Sequence, residues 1–205
     1  MISEMTSVSA YILAGGRSSR MGTDKAFLVL GGRTLLERAL GIAQSVAENV
    51  AIVGDPAKFA THGRVIEDVY RDRGPLGGIH AALSNSSTEW NLILGVDLPF
   101  VDADFLRFLI SLAESSDAIV TVPSTNGRYE PLCAVYRREF AGVAEAALKS
   151  GRNKIDALYA SVSVRTLEGK EISAHGFGSE IFRNLNAPAD WEQAKTEFEN
   201  ASKHL

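Results

Sequence analysis

Residues 10–30, AYILAGGRSSRMGTDKAFLVL, decide both the fold and the chemistry of this chain. The apolar opening at residues 11–14 is cut off by a glycine pair, which is typical of a buried strand that ends in a tight turn. Gly15 and Gly16 carry no Cβ, so a ligand can approach the main chain, and successive amide N–H groups in such a turn bind anions. Three basic side chains follow within nine residues, namely Arg17, Arg20 and Lys25. The stretch therefore predicts a site for a triphosphate or a similar polyanion.

Spacing excludes two common phosphate-binding loops. A P-loop places glycine directly before its lysine and Ser or Thr after it, whereas here Asp24 precedes Lys25 and Ala26 follows. The dinucleotide fingerprint G-x-G-x-x-G does not fit the adjacent Gly15 and Gly16. The predicted phosphate site must therefore belong to another kind of loop.

The stretch resembles the signature LAGGxSxRMGxDK of nucleotidyltransferases with an α/β fold, and it is most similar to the molybdenum cofactor guanylyltransferase family. The matching residues are Leu13, Ala14, Gly15, Gly16, Ser18, Arg20, Met21, Gly22, Asp24 and Lys25. The resemblance implies a Rossmann-like, glycosyltransferase-A-like fold and transfer of GMP from GTP to molybdopterin, with Mg²⁺ as cofactor and release of pyrophosphate. It also implies roles for individual residues. Leu13, Ala14, Gly15, Gly16, Lys25, Asp68 and Asp97 would bind GTP; Arg20, Lys25 and Asp97 would be catalytic; and Asp97 would hold the metal.

Strands and helices alternate along the first half of the chain. An amphipathic helix is predicted over residues 34–46, with Thr34 and Glu37 as a capping box, and a second strand over residues 49–53. This βαβ pattern predicts a mostly parallel sheet with an antiparallel strand in a single-domain three-layer α/β/α sandwich. We expect one domain over residues 1–205, with a nucleotide-binding half at about 9–100 and an acceptor-binding half at about 101–195.

A carboxylate follows the most apolar run of the chain, residues 91–96. Asp97 stands where this predicted central strand ends, and open α/β sheets bind ligands at the carboxyl ends of their strands. It also comes too early to cap the next helix, which Asp102 can start. Asp68 follows a short strand in the same way, although a plain loop carboxylate is an alternative reading there. The segment at residues 74–78, GPLGG, precedes a helix expected to begin at His80.

The second half of the chain offers weaker signals. A strand is predicted to end at Pro123, and residues 129–136 should pair antiparallel with a neighbour. A helix is expected to open at residues 152–154, and residues 162–166 alternate as a strand. Asn184 and Asn186 are expected on one face of an extended segment, in a motif that the resembled family also carries near its end.

Composition limits the classes of function. The formal net charge of −4 lacks the basic footprint of a nucleic-acid-binding protein, and no apolar run reaches the length of a membrane span. A signal peptide is not predicted either, so we expect a cytoplasmic protein whose partners are GTP and molybdopterin or Mo-molybdopterin. Other proteins of molybdenum cofactor biosynthesis, or acceptor proteins, are further partners that the resemblance allows.

Two alternatives remain open at the level of sequence. One is a relative that transfers another nucleotide, for example a cytidylyltransferase or a sugar-phosphate nucleotidyltransferase of the same fold. Relatives often carry an asparagine after the second strand, where this chain has Gly54 and Asp55; this departure from the family pattern concerns guanine specificity and leaves the reaction type unaffected. The other is a non-catalytic GTP-binding accessory protein.

Overall fold

The computed structural model describes residues 7–15, 24–185 and 188–202, with side chains omitted at residues 188–189 and 199–202. Besides strands and α-helices, the described residues form three 3₁₀ segments, namely Lys25–Phe27, Asp156–Ser161 and Ser179–Phe182. The strands are β1 (Val8–Leu13), β2 (Val29–Leu30), β3 (Arg33–Thr34), β4 (Asn49–Val53), β5 (Val65–Ile66), β6 (Trp90–Gly95), β7 (Val120–Thr125), β8 (Arg128–Tyr129), β9 (Cys133–Arg137) and β10 (Val164–Glu168). The helices are α1 (Leu35–Gln44), α2 (Pro56–Phe59), α3 (Pro75–Ser84), α4 (Ala103–Glu114), α5 (Phe140–Lys149), α6 (Gly169–Ala174) and α7 (Pro188–Ser202).

One mixed sheet organises the described part of the chain. Its strand order is β10-β7-β9-β6-β1-β4-β5, with β8 paired to β7, and β2 and β3 form a separate hairpin. β1 runs parallel to β4 and β6, β4 runs parallel to β5, and β7 runs parallel to β10. β9 runs antiparallel to both β6 and β7. The prediction of a mostly parallel sheet with an antiparallel strand is therefore confirmed.

Helices cover both faces of the sheet, because its central strands are buried on both sides. On one face, Ala10 and Ile12 pack with residues of α1, α4, α6 and α7. On the other face, Tyr11 and Leu13 pack with residues of α3 and α5. Successive side chains of β1 thus enter different cores, which is the period-2 alternation of a strand. This arrangement confirms the three-layer α/β/α sandwich.

Local sequence signals explain several element ends. Thr34 and Glu37 form the predicted capping box at the start of α1. Gly31 and Gly32 both adopt positive φ, 56° and 78°, in the turn between β2 and β3, a conformation that glycine takes without steric cost. Asp102 accepts a hydrogen bond from the Phe105 N–H at 2.8 Å and caps α4 as expected.

Other boundaries differ from the prediction. α3 begins at Pro75 rather than at His80, because Pro at the first helical position has no N–H to leave unpaired. β7 continues through Pro123, whose carbonyl still accepts the Glu130 N–H at 2.9 Å. β10 starts at Val164, two residues later than expected. The helices α2 and α6 lack a long apolar period and were not predicted.

Two segments of the predicted acceptor-binding half also differ from the expected structure. Residues 152–154 lie in no helix, and the helical turns start only at Asp156. Residues 183–185 have no strand pairing, because the preceding Ser179–Phe182 segment is 3₁₀-helical. Asn186 lies outside the described residues. None of the helices in the described ranges combines the length and apolarity that crossing a bilayer requires.

Gly54 tests how tightly the end of β4 is packed. A Cβ at Gly54 would lie 2.8 and 2.9 Å from two carbons of the Phe59 ring, which is only 1% exposed. We expect Gly54→Ala to lower the free energy of unfolding by about 1–3 kcal/mol through overpacking, measured by urea denaturation.

Gly41 provides the matched control for this substitution. It lies exposed in α1, and a Cβ there would meet no atom within 4 Å. Gly41→Ala should therefore raise the free energy of unfolding by about 0.5–1 kcal/mol through helix propensity. Equal effects of the two substitutions would contradict the packing account.

Candidate active site

A cavity of about 770 Å³ opens at the carboxyl ends of β1 and β4. Its described walls come from the ends of these strands, the segment before the 3₁₀ turn at Lys25, α2, the loop after β5 and the first turn of α3. The lining residues are Leu13, Ala14, Gly15, Asp24, Val53, Gly54, Asp55, Lys58, Phe59, Glu67, Asp68, Arg71, Asp72, Gly74, Pro75 and Gly78. The cavity thus lies at the edge where parallel α/β sheets bind ligands.

The start of the glycine loop is tied to the sheet on both sides. The Ala14 N–H donates to the Val53 carbonyl at 3.1 Å, and the Leu13 carbonyl accepts the Val96 N–H at 3.2 Å. These bonds fix Leu13, Ala14 and Gly15 at the wall of the cavity. Gly16 and Arg20, the other expected loop contacts, lie outside the described residues.

Two glycines of α3 make room for the cavity wall. A Cβ on Gly78 would lie 3.2 Å from Leu13 Cδ2, and a Cβ on Gly77 would lie 2.5 Å from Asp68 Oδ2. Both positions need glycine because Leu13 and the Asp68 carboxylate occupy the space beside the helix. The GPLGG segment therefore forms the first turn of α3 itself, and its small residues let this turn pack closely against the cavity.

Asp68 presents a half-buried carboxylate to the cavity. Its Oδ1 accepts the Tyr70 N–H at 2.8 Å. Burial raises the pKa of this carboxyl above its ordinary value, although the Tyr70 N–H, His80 and Arg71 act in the opposite direction. Asp68 therefore lines the cavity in surroundings that disfavour its charged form.

Lys25 and Asp97 meet beside this cavity. The Lys25 Nζ lies 3.8 Å from Asp97 Oδ2, and the two side chains are 19% and 26% exposed. Asp97 follows β6, and a Cβ on Gly95 would lie 2.9 Å from Asp97 Oδ1, so Gly95 leaves space for the carboxylate. The structure therefore brings together a cation and an acid that are separated by 72 positions in the sequence.

Asp24 links the turn that carries Lys25 to α2, which forms another wall of the cavity. One carboxylate oxygen accepts the Ala26 N–H at 3.3 Å and caps the 3₁₀ turn that begins at Lys25. The other oxygen lies 2.8 Å from Lys58 Nζ, in α2. Sequence reasoning missed Lys58, because a four-residue helix carries no periodic signal. The only signal for Lys58 in the sequence is its position shortly after the strand predicted over residues 49–53.

Glu130 is a second residue that the sequence did not single out. It lies between β8 and β9, and it accepts a hydrogen bond from Thr125 Oγ1 at 3.1 Å. Burial raises the pKa of Glu130, and the charges of Asp156 and Asp97 raise it further. Leu132, two residues on, accepts the Gly95 N–H at 2.7 Å. This segment therefore contacts the end of β6 on the side of that strand away from β1.

The segment before α7 reaches the same strand end. The Leu185 N–H donates to the Asp97 carbonyl at 3.4 Å, so half-buried Asn184 belongs to a segment that contacts the end of β6. Residues 183–185 form no strand, and Asn186 lies outside the described residues, so the expectation that Asn184 and Asn186 share one face stays a prediction.

The donor set fits a metal that arrives with a nucleotide. Within residues 7–15, 24–185 and 188–202, no group of three or more His, Cys, Asp or Glu side chains could hold a metal ion. Asp97 offers a single partly exposed carboxylate at the site. Mg²⁺ commonly binds one or two protein carboxylates and takes its remaining ligands from phosphates and water. Asp97 therefore fits the predicted Mg²⁺ site.

Asp68 gives a pH-dependent prediction for the protein without ligand. Because its folded-state pKa lies above the ordinary value of 3.8, ionisation costs stability as pH rises through the folded-state pKa. Asp68→Asn should therefore melt at a higher temperature than the unaltered protein at pH 7, and the difference should vanish below pH 3.8, where the carboxyl is protonated in both states. A lower melting temperature of the variant at pH 7 would contradict the burial account.

Comparison with known proteins gives a consistent picture. A family model described as a MobA-like NTP transferase domain matches residues 10–165. The probable molybdenum cofactor guanylyltransferase of Carboxydothermus hydrogenoformans is 35% identical over 92% of this chain and 95% of its own. The molybdenum cofactor guanylyltransferase of Desulfosudis oleivorans is 36% identical over 93% and 96%, respectively.

A solved structure agrees with these relatives. The fold superimposes with a TM-score of 0.82 on a protein from Archaeoglobus fulgidus described as molybdopterin-guanine dinucleotide biosynthesis protein A. The two sequences are 25% identical, and the match covers 94% of this chain and 99% of the other. The chain therefore belongs to the molybdenum cofactor guanylyltransferase family of nucleotidyltransferases.

Proposed function

We propose that this protein transfers GMP from GTP to the terminal phosphate of molybdopterin and releases pyrophosphate. The product would be the molybdopterin guanine dinucleotide cofactor. Family membership supports the reaction, and the observation that carries the proposal is the approach of Lys25 to Asp97 beside the glycine-edged cavity. Nucleotidyl transfer needs a positively charged side chain that binds phosphate and, close to it, a carboxylate that holds a metal ion.

The reaction requires positioning more than covalent chemistry. An oxygen of the molybdopterin phosphate forms a bond to the α-phosphorus of GTP, and the bond from this phosphorus to the bridging oxygen of the β-phosphate breaks. The departing oxygen leaves on pyrophosphate as an anion. A phosphate nucleophile is already ionised at neutral pH, so the step needs no general base from the protein.

The residues divide between the two ends of the nucleotide. The proposed base and ribose contacts are Leu13, Ala14 and Asp68, which line the cavity. The Gly15 and Gly16 amides, Arg20 and Lys25 would hold the β- and γ-phosphates and stabilise the charge on the leaving pyrophosphate. The resemblance extends these roles to Gly16 and Arg20, which lie outside the described residues.

Asp97 would hold Mg²⁺ at the boundary between donor and acceptor. When bound, Mg²⁺ neutralises charge that develops around the α-phosphate. Asp97 keeps its position because Gly95 leaves space for its carboxylate and the Leu185 N–H donates to its carbonyl. On this proposal the nucleotide occupies the half formed by residues 9–100, and molybdopterin approaches from residues 101–195.

A second candidate is transfer of a different nucleotide on the same fold. The observation that favours it is the end of β4, where the Phe59 ring occupies the space beside Gly54 and no side chain can point into it. An asparagine cannot take this position without moving Phe59. The base must then be selected by other groups, such as Asp55, Asp68 and the main chain. An accessory protein without turnover is disfavoured by Asp97, since binding alone needs no acid beside the α-phosphate.

The nucleotide specificity can be measured directly. GTP, CTP, ATP and UTP would each be incubated with the protein, Mg²⁺ and molybdopterin, and the dinucleotide product would be separated by chromatography. We expect product with GTP and at least about tenfold less with the other triphosphates, because complementary hydrogen bonds to a base discriminate strongly. Strong turnover of CTP with little turnover of GTP would overturn the proposal.

Asp97→Asn tests the metal assignment. We expect transfer to fall by at least about a hundredfold, since the metal contributes several kcal/mol of charge stabilisation, while GTP binding weakens but stays measurable by calorimetry. Asp102→Asn is the matched control, because Asp102 lies five positions further along, and Asn also caps a helix well. The control should retain full activity. Unchanged transfer in Asp97→Asn would remove the metal role.

A further inference from the structure

We propose that Lys58 is a positioning residue for the nucleotide site, which cancels the charge of Asp24 and holds it in place at the edge of the triphosphate site. The inference rests on the proposed function, because it assumes that a nucleotide triphosphate binds in the cavity. It adds a residue from α2, outside the glycine-loop motif, to the groups on which nucleotide binding depends.

The ion pair joins two walls of the same cavity. Lys58 Nζ lies 2.8 Å from Asp24 Oδ2, and both residues line the cavity although they are 34 positions apart in sequence. The Asp24 carboxylate is 18% exposed and the Lys58 side chain 50% exposed. The hydrogen bond to Asp24, and then its charge, raise the pKa of Lys58, so this lysine stays protonated at physiological pH.

Asp24 needs such a partner because of where it stands. It directly precedes Lys25, the proposed phosphate ligand, and its other oxygen caps the turn that carries Lys25. A carboxylate at this place fixes the direction of Lys25 but also repels a polyanion. With Lys58 attached, Asp24 keeps its capping role and its charge is cancelled locally.

The remaining charge of the cavity makes this cancellation more important. Among the described lining residues, five are carboxylates and two are basic, and of the basic ones Arg71 is paired with Glu67. The carboxylates are Asp24, Asp55, Glu67, Asp68 and Asp72. Loss of Lys58 would therefore leave the negative charge of Asp24 without its lysine partner in a wall that is rich in carboxylates.

An ion pair that served only to stabilise the fold would leave GTP affinity unchanged when Lys58 is removed. Exposed pairs contribute little to folding stability, so removal of Lys58 should leave the melting temperature almost unchanged. The effect should instead appear in nucleotide affinity, and it should depend on whether the Asp24 charge is present. Charge cancellation therefore predicts that a second substitution restores binding, whereas loss of a direct phosphate contact predicts no such restoration.

The test is a double-mutant cycle in the full chain, with the dissociation constant of GTP measured by calorimetry in Mg²⁺ at low salt. We expect Lys58→Met to raise this constant about tenfold, because an uncompensated carboxylate faces the phosphates. Lys58→Arg should bind almost normally. Asp24→Asn combined with Lys58→Met should return to within about threefold of the unaltered protein, because Asn can still accept the Ala26 N–H and carries no charge. High salt should reduce the defect of Lys58→Met.

The control pair is Lys195 with Glu192, which lie 3.0 Å apart on α7 and outside the cavity lining. Lys195→Met, alone or with Glu192→Gln, should leave GTP binding unchanged. Normal GTP affinity in Lys58→Met would overturn the inference, as would a double variant that binds no better than Lys58→Met. Failure of the proposed function would look different, because the unaltered protein itself would then fail to bind or turn over GTP.

Discussion

The site depends on the register of β1 between its two parallel neighbours. Leu13, the last residue of β1, lies opposite Val53 of β4 and opposite Gly95 of β6. Because the three strands end at the same level, the residues that follow them leave the sheet together at one edge. Ala14 and Gly15 therefore leave the sheet at the same edge as Asp97, and a one-residue slip of β1 would exchange the faces of its side chains. The register is in turn fixed by the two cores that β1 separates.

The site also requires residues without side chains at the edge of the sheet and at the start of α3. At three positions around the cavity, glycine stands where the side chain or ring of another residue occupies the adjacent volume. Gly54 adjoins the Phe59 ring, Gly77 adjoins the Asp68 carboxylate, and Gly78 adjoins Leu13. The shape of the cavity therefore depends on glycine at these three positions as well as on the side chains that line it. Asp68 can approach α3 and remain at the cavity surface only because the first turn of this helix is so small.

The amount that sequence could predict follows from the range of each interaction. The first strand, the capping box of α1 and the placement of Asp97 after a buried strand are local patterns, and the structure agrees with each of them. The sequence predicts the start of α3 five residues too late, because the breaker residues in GPLGG favour a loop locally, whereas the helix packs against Leu13 and Asp68 from its first turn.

Contacts between distant segments carried no sequence signal. The pairing of Asp24 with Lys58 spans 34 positions, and the segment that carries Glu130 reaches the end of β6 only because β9 inserts antiparallel between β6 and β7. The acceptor side was least well predicted for the same reason. Its segments at residues 152–154 and 183–185 are irregular, and their position is set by docking onto the sheet rather than by local propensity.

A crystal structure with Mg²⁺ and a GTP analogue whose α- and β-phosphates are joined by a methylene group tests the central claim most directly. Such an analogue cannot release pyrophosphate. We predict that a phosphate oxygen lies about 3 Å from Lys25 Nζ and from the Gly15 amide nitrogen, with the metal on the Asp97 carboxylate. Phosphates located away from Lys25, or a metal held without Asp97, would contradict this account.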